Sequence, residues 1–106
     1  MAVDTNEPYV LEFEGEIDLH EAPRIKEQIS KGIAKKPAKL VVDLSKVTYI
    51  DSSGLAALID GLQRAQAYGG KLVLAGIHNH VRTIFQISRL DKVFSIFPDR
   101  ESALLA

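Results

Sequence analysis

Cysteine and tryptophan are absent from this chain of 106 residues, and methionine occurs once. Without cysteine there is no disulfide framework and no thiolate metal site, a composition suited to a reducing compartment. Long apolar runs are missing as well. No stretch approaches the ~18 residues that a membrane span requires. The first residues, Met1-Ala2-Val3-Asp4-Thr5-Asn6-Glu7-Pro8, are polar and acidic, unlike a secretory leader. A cytoplasmic protein without a membrane span is the expectation. The chain also lacks a surplus of either charge, and a net −1 leaves no electrostatic footprint for nucleic acid. The distribution is less even than the total. Seven of the 14 acids lie at or before Glu21, while the first basic residue is Arg24. This describes either a solvated acidic edge around the first strand or a rim that meets basic residues on a partner.

What is present suffices for one ordinary domain spanning residues 1–106. Hydrophobic residues make up 46% and charged residues 25%, enough for one core without staples. Tyr9, Leu11 and Phe13 alternate with Val10, Glu12 and Glu14, the period of a strand with one buried face. Gly15 is expected to end it. A helix opens across Asp18 to Glu21 with Pro23 in its first turn, where a missing N–H is harmless. Its apolar stripe is Ala22, Ile25, Ile29 and Ile33, and Pro37 marks its end. Lys39 to Asp43 reads as a short strand covered on both faces.

A second helix is predicted from about Ser53 to Tyr68, stopped by Gly69-Gly70, with Leu55, Leu58, Ile59 and Leu62 facing the core. Leu72 to Ala75 is the next buried strand. A third helix covers Asn79 to Ser88, with Val81, Ile84, Phe85 and Ile87 inward or at its margin. Val93 to Phe97 reads as a last strand, and Asp99 caps a final short helix through Leu105. Strands alternating with helices of this length imply parallel crossovers, which are almost always right-handed. The expected fold class is therefore α/β: a mostly parallel sheet of four or five strands with about four helices, and Tyr9–Phe13 at an edge.

Asp51-Ser52-Ser53-Gly54-Leu55 carries the most chemistry. It stands where a strand-side loop becomes a helix, so two hydroxyls and a carboxylate gather at a helix N-terminus, whose first N–H groups lack internal partners. Capping alone accounts for one such residue. The whole block, with Gly54 read as removing a side chain beside the hydroxyls, suggests a site where a phosphate on serine would be tolerated and displayed. At ~100° per residue, Ser53, Ala57, Asp60 and Arg64 fall on one line of the second helix, opposite the leucine stripe. Asp60 and Arg64 suit a helix ion pair. The small residues Ala56, Ala57 and Gly61 flank that line, which suggests a low-relief face for docking.

The block belongs to a wider pattern. Gly15-Glu16-Ile17-Asp18 lies about 35 residues upstream, Asp43-Leu44-Ser45-Lys46-Val47 precedes the loop, and Gly69-Gly70-Lys71-Leu72 follows about 15 residues later. With Val81 to Leu90 in the third helix, these segments resemble the STAS domain, the family of sulfate-transporter tails and anti-sigma-factor antagonists. The similarity is to the small stand-alone bacterial antagonists. It implies antiparallel pairing of the first strand with an extra N-terminal strand, although only eight residues precede Tyr9 here. It also implies a phosphoacceptor at Ser52, and partner contacts from Asp18, Asp51, Ser52, Ser53, Gly54, Ala57, Asp60 and Arg64. The implied partner is an anti-sigma factor that acts as a serine kinase, with a serine phosphatase resetting the switch. Sigma factor would be freed for transcription without contact to DNA.

Other readings attach to particular residues. A stressosome scaffold or a lipid-transport accessory protein would share the fold. A serine hydrolase would use Ser52 or Ser53, but Gly-x-Ser-x-Gly is missing and no histidine–aspartate pair is placed to serve as base. A phospho-aspartate receiver would use Asp43 at a strand end, without the lysine such a site needs after its last strand. His78 and His80, two apart with no cysteine nearby, are weak metal ligands, and His20 reads as a polar loop residue. The expectation is a binding module, with no catalytic residue, metal or cofactor.

Overall fold

A computed structural model describes residues 2–106. Four strands and four helices alternate along it: β1 (Tyr9–Ile17), α1 (Ala22–Ala34), β2 (Lys39–Ile50), α2 (Ser52–Ala67), β3 (Lys71–Ala75), α3 (Asn79–Ile87), β4 (Ser95–Phe97) and α4 (Arg100–Leu105). A 3-10 turn over Leu90–Lys92 leads into β4. The fold is α/β, with one four-stranded sheet in the order β1-β2-β3-β4 and every neighbouring pair parallel. β1 lies at one edge of the sheet, as expected.

The sheet separates two unequal cores. Alternate residues Leu40, Val42 and Leu44 of β2 join Leu11, Phe13, Leu72 and Leu74 under α1, α2 and α3. The other face is thinner. Val41, Val73 and Ala75 pack there with Ala103 of α4. Asp43 lies on that face and is 5% exposed. Its Oδ1 accepts from the Ser45 N–H at 2.9 Å and its Oδ2 from Arg100 Nε at 3.0 Å. Arg100 and Lys46 also reach Glu12. Burial pushes the Asp43 carboxyl up, but hydrogen bonds from Ser45 and Arg100 together outweigh it and hold the group below its ordinary value.

Several elements differ from what the sequence suggests. β1 does not stop at Gly15. The strand passes through it with φ +76° and register shifts on either side, then continues to Ile17. A glycine in the left-handed region lets a bulge form without ending the pairing. β2 likewise runs on to Ile50, so Asp43 lies inside the strand rather than at its end. The extra N-terminal strand implied by the family resemblance is not formed among the described residues, so β1 pairs with β2 alone, in parallel. Among the described residues, only a single bridge from Thr5 to Pro37 precedes β1. Ile87 is 75% exposed rather than inward or at the margin of α3, and Val93 is outside β4 and also exposed.

Candidate functional site: the turn from β2 into α2

The carboxyl ends of β1 and β2 meet at this turn. Ile17 pairs with Ile50, and the Asp51 N–H donates to the Ile17 carbonyl at 3.1 Å. Asp18 and Asp51 are therefore register neighbours, each opening the loop that follows its strand. Asp18 Oδ1 accepts from the N–H groups of His20 (3.0 Å) and Glu21 (3.2 Å). This carboxylate fixes the turn that starts α1.

Asp51 does the same for α2. Its backbone is extended, and Oδ1 accepts from the N–H groups of Ser53 at 2.9 Å and Gly54 at 3.2 Å. The N-cap is thus the aspartate, leaving Ser52 as the first residue of the helix with an exposed side chain. Ser53 is half-buried. The cap also occupies two of the N–H groups that a bare helix end would offer to an anion. A phosphate on Ser52 would have a carboxylate as its nearest neighbour in the chain.

Gly54 corrects the sequence reading. It is buried, and a Cβ there would fall 2.6 Å from Ile17 Cγ2 and 2.7 Å from Ile50 Cγ1. Its missing side chain lets α2 sit down on the strand ends rather than uncovering the hydroxyls. Ala57 needs a second correction. It is 1% exposed and belongs to the main core, so it offers no surface to a partner. Gly61 is buried too, and a Cβ there would meet Ile29 of α1 at 2.8 Å. Ala57 and Gly61 let α1 and α2 approach closely, so these two positions of the supposed docking face lie inside.

Asp60 and Arg64 remain accessible and form the expected i, i+4 pair at 3.7 Å. Arg64 also donates to Ser30 Oγ of α1 at 2.7 Å, so this pair lines the seam between the helices. Twelve residues separate Arg64 from Ser52, roughly 18 Å along a helix. The structure brings Asp18, Asp51, Ser52, Ser53 and Gly54 together at the turn and leaves Asp60 and Arg64 at a distance.

His78 and His80 make contacts of their own. His78 Nε2 donates to the Ser45 carbonyl at 2.8 Å, and its Nδ1 accepts from the Asn79 amide. His80 stacks on Tyr49, ring centroids 5.7 Å apart and planes 10° from parallel. Sequence reasoning overlooked Tyr49, two residues before Asp51 and 39% exposed, as well as Leu19, 73% exposed. A lone leucine between Asp18 and His20 was the available signal for the second.

The STAS domain family model matches residues 1–103. This chain belongs to the STAS domain family. Among STAS proteins, the anti-sigma-F factor antagonist RsfB of Mycobacterium tuberculosis is 35% identical over 104 residues, covering 95% of this chain and 82% of that one. The crystal structure of an anti-sigma factor antagonist from Mycobacterium paratuberculosis superposes with a TM-score of 0.86 at 28% identity, covering 99% of this chain and 89% of its own. The anti-sigma factor antagonist SpoIIAA, solved in its unphosphorylated form, gives 0.79 at 25%, over 93% and 86% of the two chains. These STAS relatives are named as regulators of other proteins. Among the described residues, no helix is long and apolar enough to cross a membrane.

Proposed function

We propose that this STAS protein is an anti-sigma factor antagonist whose binding is switched by phosphorylation of Ser52. The observation that carries the reading is the exposed Ser52 hydroxyl at the start of a helix already capped by Asp51. The names of its relatives supply the partner class. Unmodified Ser52 presents a small neutral surface against which an anti-sigma factor docks, with Asp18, Asp51 and Ser53 around it. Docking sequesters the anti-sigma factor and frees sigma factor in the cytoplasm.

The partner doubles as the serine kinase that modifies Ser52, and a serine phosphatase restores the unmodified form. Phosphorylation adds about −1.5 to −2 charges and three acceptor oxygens. Because Asp51 already fills the helix cap, the dianion stays at the surface beside a like charge. Bringing a partner over it requires desolvating both groups. The chain itself acts as a binding module rather than an enzyme, since the Asp51 carboxylate serves the helix and not a nucleophile.

Incubation with the cognate kinase and ATP, followed by mass spectrometry, tests this reading. Phosphate is expected on Ser52 in the wild type and in Ser53→Ala, and on no residue in Ser52→Ala. Ser52→Ala should still bind the anti-sigma factor, whereas Ser52→Asp should fold and bind poorly. Phosphate on Ser53, or persistent binding by Ser52→Asp, would overturn the assignment.

A further inference from the structure

A concavity of about 370 Å³ lies between the first turns of α1 and α2, lined by Leu19, Ala22, Pro23, Lys26, Ser53 and Ala56. Its walls are mostly apolar, with Ser53 and the exposed Lys26 as the polar residues among them. Leu19 is 73% exposed although its neighbours in the loop are polar. Both walls are fixed without a partner. Asp18 holds the loop that carries Leu19 through two backbone N–H groups, and Asp51 holds the first turn of α2 through two more. Pro23 adds a ring that cannot leave the helical φ. Arg24 is paired with Glu21, but Lys26 has no carboxylate within ion-pair distance among the described residues.

We infer that this concavity is the anchor pocket of the Ser52 interface, taking an aliphatic side chain of the anti-sigma factor that has an acidic neighbour facing Lys26. The inference rests on the function proposed above and adds the contact that supplies affinity. Ala56 is part of the wall and the exposed Ser52 lies one helical turn before it on the same face of α2, which puts Ser52 beside the pocket. An apolar anchor must shed water to enter. A dianion at the margin holds water there, so phosphorylation blocks the anchor through hydration as well as charge. Repulsion between solvent-exposed charges is screened by added salt, which sets it apart from a block through hydration.

The test uses purified proteins. Each kinase-type anti-sigma factor encoded by the same genome is titrated with the wild-type chain and with Leu19→Ser, Ala56→Gln and Ile87→Ser. Ile87 is equally exposed but lies on α3, so it controls for loss of any surface hydrophobe. Leu19→Ser and Ala56→Gln should weaken binding by about tenfold or more, the scale expected for one buried aliphatic contact. Ile87→Ser should stay within about twofold of wild type. All three should keep the wild-type melting temperature.

Binding by the wild type with Leu19→Ser and Ala56→Gln unaltered would overturn the anchor and leave the proposed function standing. No binding by the wild type to any of these anti-sigma factors would overturn both. Repeating Ser52→Asp at low and high sodium chloride separates the two blocking effects. Affinity that stays low at high salt supports the hydration block, and recovery to the wild-type value would overturn it.

Discussion

Replacing Gly54 by alanine asks whether this glycine seats the helix or merely uncovers a hydroxyl. The added Cβ would lie 2.6 Å from Ile17 Cγ2, 2.7 Å from Ile50 Cγ1 and 3.1 Å from the Ile17 carbonyl oxygen. The first two distances are shorter than carbon atoms tolerate, and the third involves backbone. Both isoleucines are 1% exposed, so neither side chain has open space to rotate into. Overpacking a closed core costs about 1–3 kcal/mol. Alanine returns at most about 1 kcal/mol of helix propensity. With backbone among the contacts, the upper end of the penalty applies, and the net loss is about 2 kcal/mol.

Gly61 provides the comparison. Its Cβ would meet Ile29 Cγ2 at 2.8 Å and Leu72 Cδ1 at 3.0 Å, side-chain atoms with no backbone among them. Gly61→Ala therefore gains the same propensity against a softer obstacle and should stay within about 1 kcal/mol of wild type. Urea unfolding followed by circular dichroism measures both. In thermal melts, each kcal/mol corresponds to roughly 4–8 °C for a domain near this size. A Gly54→Ala chain as stable as wild type, or more stable than Gly61→Ala, would refute the packing argument.

Loss of the α2 cap in Asp51→Ala should lower stability by about 1 kcal/mol, with Asp51→Asn close to wild type because both side chains cap well. Matching melts for Asp51→Ala and wild type would show that the two hydrogen bonds carry no weight. Asp43 sets a pH dependence. Its folded carboxyl titrates below the ordinary 3.8, so its contribution is present above that value and fades as pH falls through the lower folded value. Asp43→Asn should therefore be less stable at neutral pH and show a flatter acid limb in stability measured against pH. An unchanged acid limb would remove Asp43 from that account.

Local patterns made most of the elements legible. Tyr9-Leu11-Phe13 has the period of a half-buried strand, Pro23 and Gly69-Gly70 bracket helices, and Asp99 accepts from the Ser102 N–H at 2.7 Å as a cap should. Contacts between elements were harder to read. Ala57 and Gly61 look like an exposed low-relief face until α1 is laid beside them, because small residues serve docking and close helix packing equally well. Gly15 looks like a terminator because a chain pattern cannot distinguish a bulge from a stop. At the site, Asp51 and Ser52 could be placed from the strand-to-helix junction. Leu19 and Lys26 could not, since their shared concavity exists only once α1 and α2 are side by side.

The order β1-β2-β3-β4 repeats the order of synthesis, each strand lying against the one made before it. Such a sheet can be laid down vectorially, without waiting for a late strand to slip between two earlier ones. The consequence falls on the turn that carries Ser52. Its closest supports are the Ile17 carbonyl, the Ile50 side chain and the Asp51 carboxylate, all encoded before Gly54. The turn at Ser52 can therefore take its shape as soon as the first residues of α2 follow β1 and β2, before β3 and β4 are made.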